Sequence, residues 1–134
     1  MRVTLDTNVY VSAFEFQGIG RRLLHMAVDG DIEVAVSAAI IRETLRVLRE
    51  KFGWDDYRLN DAKQQILGLA RLVEPVQPLN VVKDDPDHNR IVECAVEAGS
   101  EYIVTKDKDL MRLGEYGGIK MIRPADFLKR VMDR

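Results

Sequence analysis

Acidic residues in this chain fall where an α/β fold would bring them together. Asp6 closes the apolar run Val3-Thr4-Leu5, and Asp107 follows a second run, Tyr102-Ile103-Val104-Thr105. Glu43 lies on the apolar side of an amphipathic segment, and Asp85 and Asp87 open another. In an open α/β sheet, functional groups gather beyond the carboxyl ends of the strands. Carboxylates converging there repel one another unless a hard cation such as Mg²⁺ neutralises them. The pattern reads as a metal-dependent phosphodiester site.

Each of these residues also has a plainer use. Asp6, Thr7 and Asn8 all cap helices well, though consecutive capping residues exceed what one helix start needs. Ile40, Glu43 and Val47 are spaced i, i+3 and i+7, which puts Glu43 in an apolar row at the margin of the stripe Ile41, Leu45, Leu48 and Phe52. A buried carboxylate needs a partner, and Arg46 and a metal ion are equal alternatives. Asp85 and Asp87 suit the positive end of a helix. His88 shares a face with Ile91, Val92 and Ala95, where a histidine is more often packed than metal-bound. Asp107 can be a cap and Asp109 a solvated charge. Only the need for all these uses at once weakens them.

The elements that must position these groups are readable from periodicity and turn residues. Arg2 to Leu5 forms a strand. Thr7 or Asn8 caps a first helix, and Gly18 and Gly20 mark a break before a second from Arg21 to Val28. Ile32 to Val36 is a strand, and Ser37 caps a helix from Ala38 to Phe52 that Gly53 stops. Tyr57 to Leu72 repeats its apolar positions at helical spacing. After the loop at Pro75 and Pro78, Val81-Val82 reads as a short third strand. Asp85-Pro86 opens a helix that ends at Gly99. A strand from Glu101 to Thr105, a short helix from Asp107 to Leu113, a strand from Ile119 to Ile122 and a helix from Pro124 to Met132 complete the chain. Alternating strands and helices imply an α/β fold, a three-layer α/β/α sandwich with a mainly parallel sheet of four or five strands.

Composition narrows the class. The chain has 134 residues, 46% hydrophobic and 31% charged, which fits one globular domain over residues 1–134. No apolar run approaches a membrane span, and Met1-Arg2 leads straight into a strand pattern, so a cytoplasmic location is expected. The single Cys94 excludes an internal disulfide and a multi-thiol zinc cluster. A net charge of −2 argues against a strongly basic nucleic-acid binder. Arg21, Arg22, Arg42, Arg46, Arg49 and Lys51 can form a basic rim or ordinary solvated helix faces.

The ordered set of motifs resembles the PIN-domain family. It is most similar to the bacterial and archaeal branch of toxin components of toxin–antitoxin pairs, related to VapC-type toxins. The carriers are Leu5-Asp6-Thr7-Asn8-Val9, Val36-Ser37 leading to Glu43, Asp85-Pro86-Asp87-His88-Asn89-Arg90, Tyr102-Ile103-Val104-Thr105-Lys106-Asp107-Lys108-Asp109-Leu110 and Arg123-Pro124-Ala125-Asp126-Phe127-Leu128. The resemblance implies a metal-dependent ribonuclease, often paired as a homodimer and held inactive by a small antitoxin protein. Asp6, Glu43 and Asp107 would form the acidic core of a Mg²⁺ or Mn²⁺ site. Thr7 or Asn8 would orient Asp6, and Asp109 would stand near the metal or just behind its ligands.

One departure is specific to this chain. The family's third acid most often falls at the position of His88. Asp87 can take over by a small shift of the helix start, His88 can itself bind a softer ion such as Mn²⁺, or the activity is altered. Hydrolysis of RNA would need no protein nucleophile, and Arg42, Arg90, Lys106 or Lys108 could contact phosphates. Cys94 reads as core. The competing readings are a PIN-like module that binds RNA or a partner without cutting, and a receiver-like signalling domain. The latter needs an acid at the end of a middle strand, where Val36-Ser37-Ala38 has none.

Overall fold

The inner strands are short and largely apolar, and nearly all of their residues are buried, as expected of strands covered on both faces. In the computed structural model, which describes residues 1–83 and 85–133, Val3, Thr4 and Leu5 are fully buried, as are Ala35, Val36, Ile103 and Val104. The order of elements is β1 (Arg2–Leu5), α1 (Thr7–Glu15), α2 (Gly18–Val28), β2 (Glu33–Ser37), α3 (Ala38–Phe52), α4 (Asp56–Leu69) and β3 (Ala70–Val73). There follow α5 (Pro86–Ala98), β4 (Tyr102–Val104), α6 (Lys108–Leu113), β5 (Glu115–Tyr116), β6 (Ile119–Ile122) and α7 (Pro124–Met132). No helix among the described residues is long and apolar enough to cross a membrane.

The strands form one six-stranded sheet in the order β3-β2-β1-β4-β6-β5. All pairings are parallel except that of β5 with β6. That hairpin turns on Gly117 and Gly118, whose φ values of 57° and 84° match the left-handed turn that follows strand twist. The chain moves outward from β1 through β2 to β3, then returns to β4 on the other side of β1. The crossover direction therefore reverses between β1 and β4, and the crevice beyond their carboxyl ends is the place such sheets bind ligands.

The α/β sandwich read from the sequence stands, with corrections at its edges. The sheet has six strands rather than four or five. Val81-Val82 is no strand; the side-chain oxygen of Asn89 accepts both of their N–H groups at 2.8 Å, so those donors need no ladder. The third strand is Ala70–Val73, which cuts the expected Tyr57–Leu72 helix at Leu69 and pairs Val34 with Ala70 through Ser37 with Val73. The first helix starts at Thr7, making Asp6 rather than Thr7 or Asn8 its cap residue, and the second starts at Gly18 rather than Arg21. On α3 the buried row is Ile40, Thr44 and Val47 with Ile41 and Leu48, while Leu45 and Phe52 are only partly covered. Trp54 is core, its indole N–H donating to Glu15 at 2.7 Å.

Close packing of α1 on α2 depends on Gly20. A Cβ there would lie 2.9 Å from the carbonyl oxygen of Val9 and 3.0 Å from the amide nitrogen of Ala13. Both contacts are backbone and cannot swing aside. Gly20→Ala should destabilise the protein by about 1–3 kcal/mol, the usual cost of overpacking, measured by urea unfolding. An unchanged midpoint would mean that the helices separate freely.

Candidate active site at the carboxyl ends of β1 and β4

Parallel pairing of β1 with β4 matches Leu5 to Val104, so the residues that follow each strand emerge side by side. Asp6 is 1% exposed, and its backbone N–H donates to the carbonyl of Val104 at 2.9 Å. Thr105, fully buried, links the two strand ends. Its hydroxyl donates to Asp6 Oδ2 at 2.6 Å and accepts the backbone N–H of Asp107 at 2.9 Å. The resemblance implied that Thr7 or Asn8 would orient Asp6. In the structure the side-chain donor that reaches Asp6 is the hydroxyl of Thr105.

Asp107 divides its carboxylate between structure and site. Oδ2 accepts the N–H groups of Asp109 and Leu110 at 2.9 and 3.0 Å, capping α6, while Oδ1 lies 3.6 Å from His88 Nε2. The same nitrogen lies 3.8 Å from Asp6 Oδ2. Asp85 divides its oxygens likewise. Oδ1 accepts the N–H of His88 at 3.3 Å to start α5, and Oδ2 pairs with His88 Nδ1. The imidazole is thus aimed by Asp85 into the space between Asp6 and Asp107.

The electrostatics follow from this geometry. Burial raises the Asp6 carboxyl above its ordinary range, more than the Thr105 hydrogen bond and the nearby imidazole lower it, and Asp107 adds to the rise. Burial of His88 favours its neutral form, but the charges of Asp6, Asp85 and Asp107 outweigh this and raise its pKa. Cys94 is fully buried with its thiol pushed up to about 12, the state of a core residue rather than a nucleophile.

The remaining sequence candidates fall outside this contact set. Asp87 is exposed in the first turn of α5, so His88 is the residue brought to Asp6 and Asp107. Glu43 pairs through both carboxylate oxygens with the guanidinium of Arg46, which also reaches Glu50. Asp109 pairs with Arg112 at 3.2 Å. Arg90 is engaged with Glu93 at 2.7 Å, whereas Arg42, Lys106 and Lys108 are exposed. The basic rim is partly consumed, since Arg46 and Arg49 form ion pairs on the surface. Asp85 was named in the acidic pattern and as a helix start without a role in the site, and Thr105 was not singled out from sequence. Their signals were the Asp–His spacing of three around a proline and a threonine between an apolar run and an acid.

Asn89 fixes the approach to α5. Besides accepting from Val81 and Val82, its amide donates to the carbonyls of Val82 and Asp85 at 2.9 and 3.1 Å. Asn89→Ala strands these buried groups and should cost at least about 2 kcal/mol. Urea unfolding measures it, and an effect within a few tenths would show the loop is held by other contacts.

No curated sequence matches the chain. Among solved structures, VapBC2 from Rickettsia felis, bound to a DNA fragment from its promoter, matches with a TM-score of 0.63 at 14% identity. The match covers 92% of this chain and 98% of that one, and at such identity it establishes a shared fold. A family model described as PIN domain matches residues 2–109, and those residues include Asp6, Glu43, His88 and Asp107. The chain belongs to the PIN domain family.

Proposed function

We propose that this chain, as one PIN-like domain, is a divalent-metal-dependent endoribonuclease acting in the cytoplasm as the toxin of a toxin–antitoxin pair. The observation that carries the reading is the meeting of Asp6 and Asp107, from adjacent parallel strands, at the point where the crossovers reverse. The likeness to VapBC2 supports a small antitoxin partner. Homodimerisation fits the exposed apolar groups Tyr57 and Leu67 on α4.

The donors suit a divalent ion. Asp6 is a buried carboxylate whose burial is not fully offset by its neighbours, so added positive charge would stabilise it. No group of three or more His, Cys, Asp or Glu among the described residues stands ready as a cage. Mg²⁺ rarely needs one, since it is commonly held by one or two carboxylates with water and substrate phosphate completing its shell. Asp6 and Asp107 would hold the ion, and His88 favours Mn²⁺ over Mg²⁺ because imidazole suits the softer ion. Glu43 is the third carboxylate of the reading. Its pair with Arg46 is half exposed on the arginine side, and such pairs contribute about 0–1 kcal/mol, so the carboxylate is releasable.

When bound, the ion would activate a water and neutralise charge on the scissile phosphate. The chain's own groups do the rest. Thr105 and Asp85 orient the Asp6 carboxylate and the His88 imidazole, and the exposed Lys106, Lys108 and Arg42 would contact phosphates. A second reading rests on His88 itself: a protonated imidazole between Asp6 and Asp107 neutralises them without metal, as in a module that binds RNA and does not cut.

Incubation of a mixed RNA pool with EDTA, Mg²⁺ or Mn²⁺ separates the readings. Cutting should require metal, be faster with Mn²⁺, and fall by about 100-fold or more in Asp6→Asn and Asp107→Asn and less in Glu43→Gln. Folded protein that binds RNA but cuts with no ion would establish the binding module instead.

A further inference from the structure

Beside the acidic cluster lies a cavity of about 270 Å³. Val9, Ile19 and Pro124 give it an apolar wall, and Asn8, Gln17 and Lys106 border it. Asn8 follows Asp6 by two residues and Lys106 immediately precedes Asp107, so the cavity adjoins the place where β1 and β4 end. Its volume is just below the ~300 Å³ at which pockets for drug-sized ligands begin. That size suits one planar heterocycle.

The cavity is maintained at a cost. The turn from α1 to α2 holds Gln17 at φ 63°, ψ −121°. It is the only non-glycine residue with positive φ among the described residues. Such conformations cost about 1–3 kcal/mol each and concentrate at ligand sites. Glycine would meet the backbone requirement without strain, so what the strain retains is the Gln17 side chain. The side chains of Asn8, Gln17 and Lys106 have no hydrogen-bond or ion-pair partner among the described residues. Phe16, which also lines the cavity, is 66% exposed and meets Phe52 edge to face at 5.5 Å.

We infer that this cavity recognises a single nucleobase of single-stranded RNA next to the scissile phosphate, an inference that rests on the ribonuclease reading. An exposed aromatic ring offers a stacking surface for a base. The Asn8 and Gln17 amides each carry donors and an acceptor for the base edge. Lys106 supplies a cation for the adjoining phosphate. Free amides and a free cation around an apolar wall complement a nucleotide better than an apolar peptide segment.

The test uses Asp6→Asn protein, in which cutting is disabled, titrated with short single-stranded RNAs each lacking one base. Loss of the base at one position should weaken binding by about tenfold or more, within the range for base stacking. That penalty should vanish when Phe16→Ala, or Ser12→Phe to fill the cavity, is added, with circular dichroism confirming the fold. Gln17→Gly should raise Tm by relieving strain and yet flatten the preference, which a merely structural residue would not do. If all RNAs bind alike, or the penalty survives in these variants, the inference is overturned and the cavity is left to a protein partner. Wild-type protein on the intact RNAs with Mn²⁺ keeps the two ideas apart. Base discrimination without cutting would sink the ribonuclease reading alone, and cutting without discrimination would sink the pocket alone.

Discussion

Burial of the Asp6 carboxylate is the constraint around which this end of the molecule is organised. A carboxylate that is 1% exposed pays a desolvation cost that raises its pKa, and it persists only where hydrogen bonds and positive charge offset that cost. Thr105 supplies a hydroxyl at 2.6 Å and His88 an imidazole at 3.8 Å. Asp107 works against them, adding negative charge to the same space. A fold that simply needed a helix cap after β1 would not place a second carboxylate there.

The sheet explains why these groups meet. Because β1 and β4 are parallel neighbours in register, their carboxyl ends lie side by side, and α5 brings His88 over them. Each supporting acid also has a structural duty. Asp85 starts α5 and Asp107 starts α6, each with one oxygen, leaving the other to face the imidazole. Helix capping and site building are therefore carried by the same carboxylates. That joint duty is why both the plainer and the chemical readings of these residues were open from sequence.

Much of this is legible in the sequence. Asp6 and Asp107 stood out because each follows an apolar run, and strand exits are fixed by the burial of the run itself. The alternation of strands and helices gave the layered fold. The third strand was missed because Ala70–Val73 follows a helix without a break in apolar content, and the strand exists through pairing with β2. Val81-Val82 looked like a strand until Asn89 took its donors. The choice between Asp87 and His88 depended on the phase of the first turn of α5, which the Asp85 cap sets in space. Pairing of Glu43 with Arg46 was one of two equal readings, and short-range spacing alone could not rank them.

Direct metal binding tests the central claim, that Asp6 and Asp107 together form a cation site. Mn²⁺ titration followed by electron paramagnetic resonance should show binding to the wild-type protein that Asp107→Asn and Asp6→Asn each weaken by about tenfold or more. Equal Mn²⁺ affinity in the wild type and both variants would contradict the account. The carboxylates would then be neutralised by His88 alone.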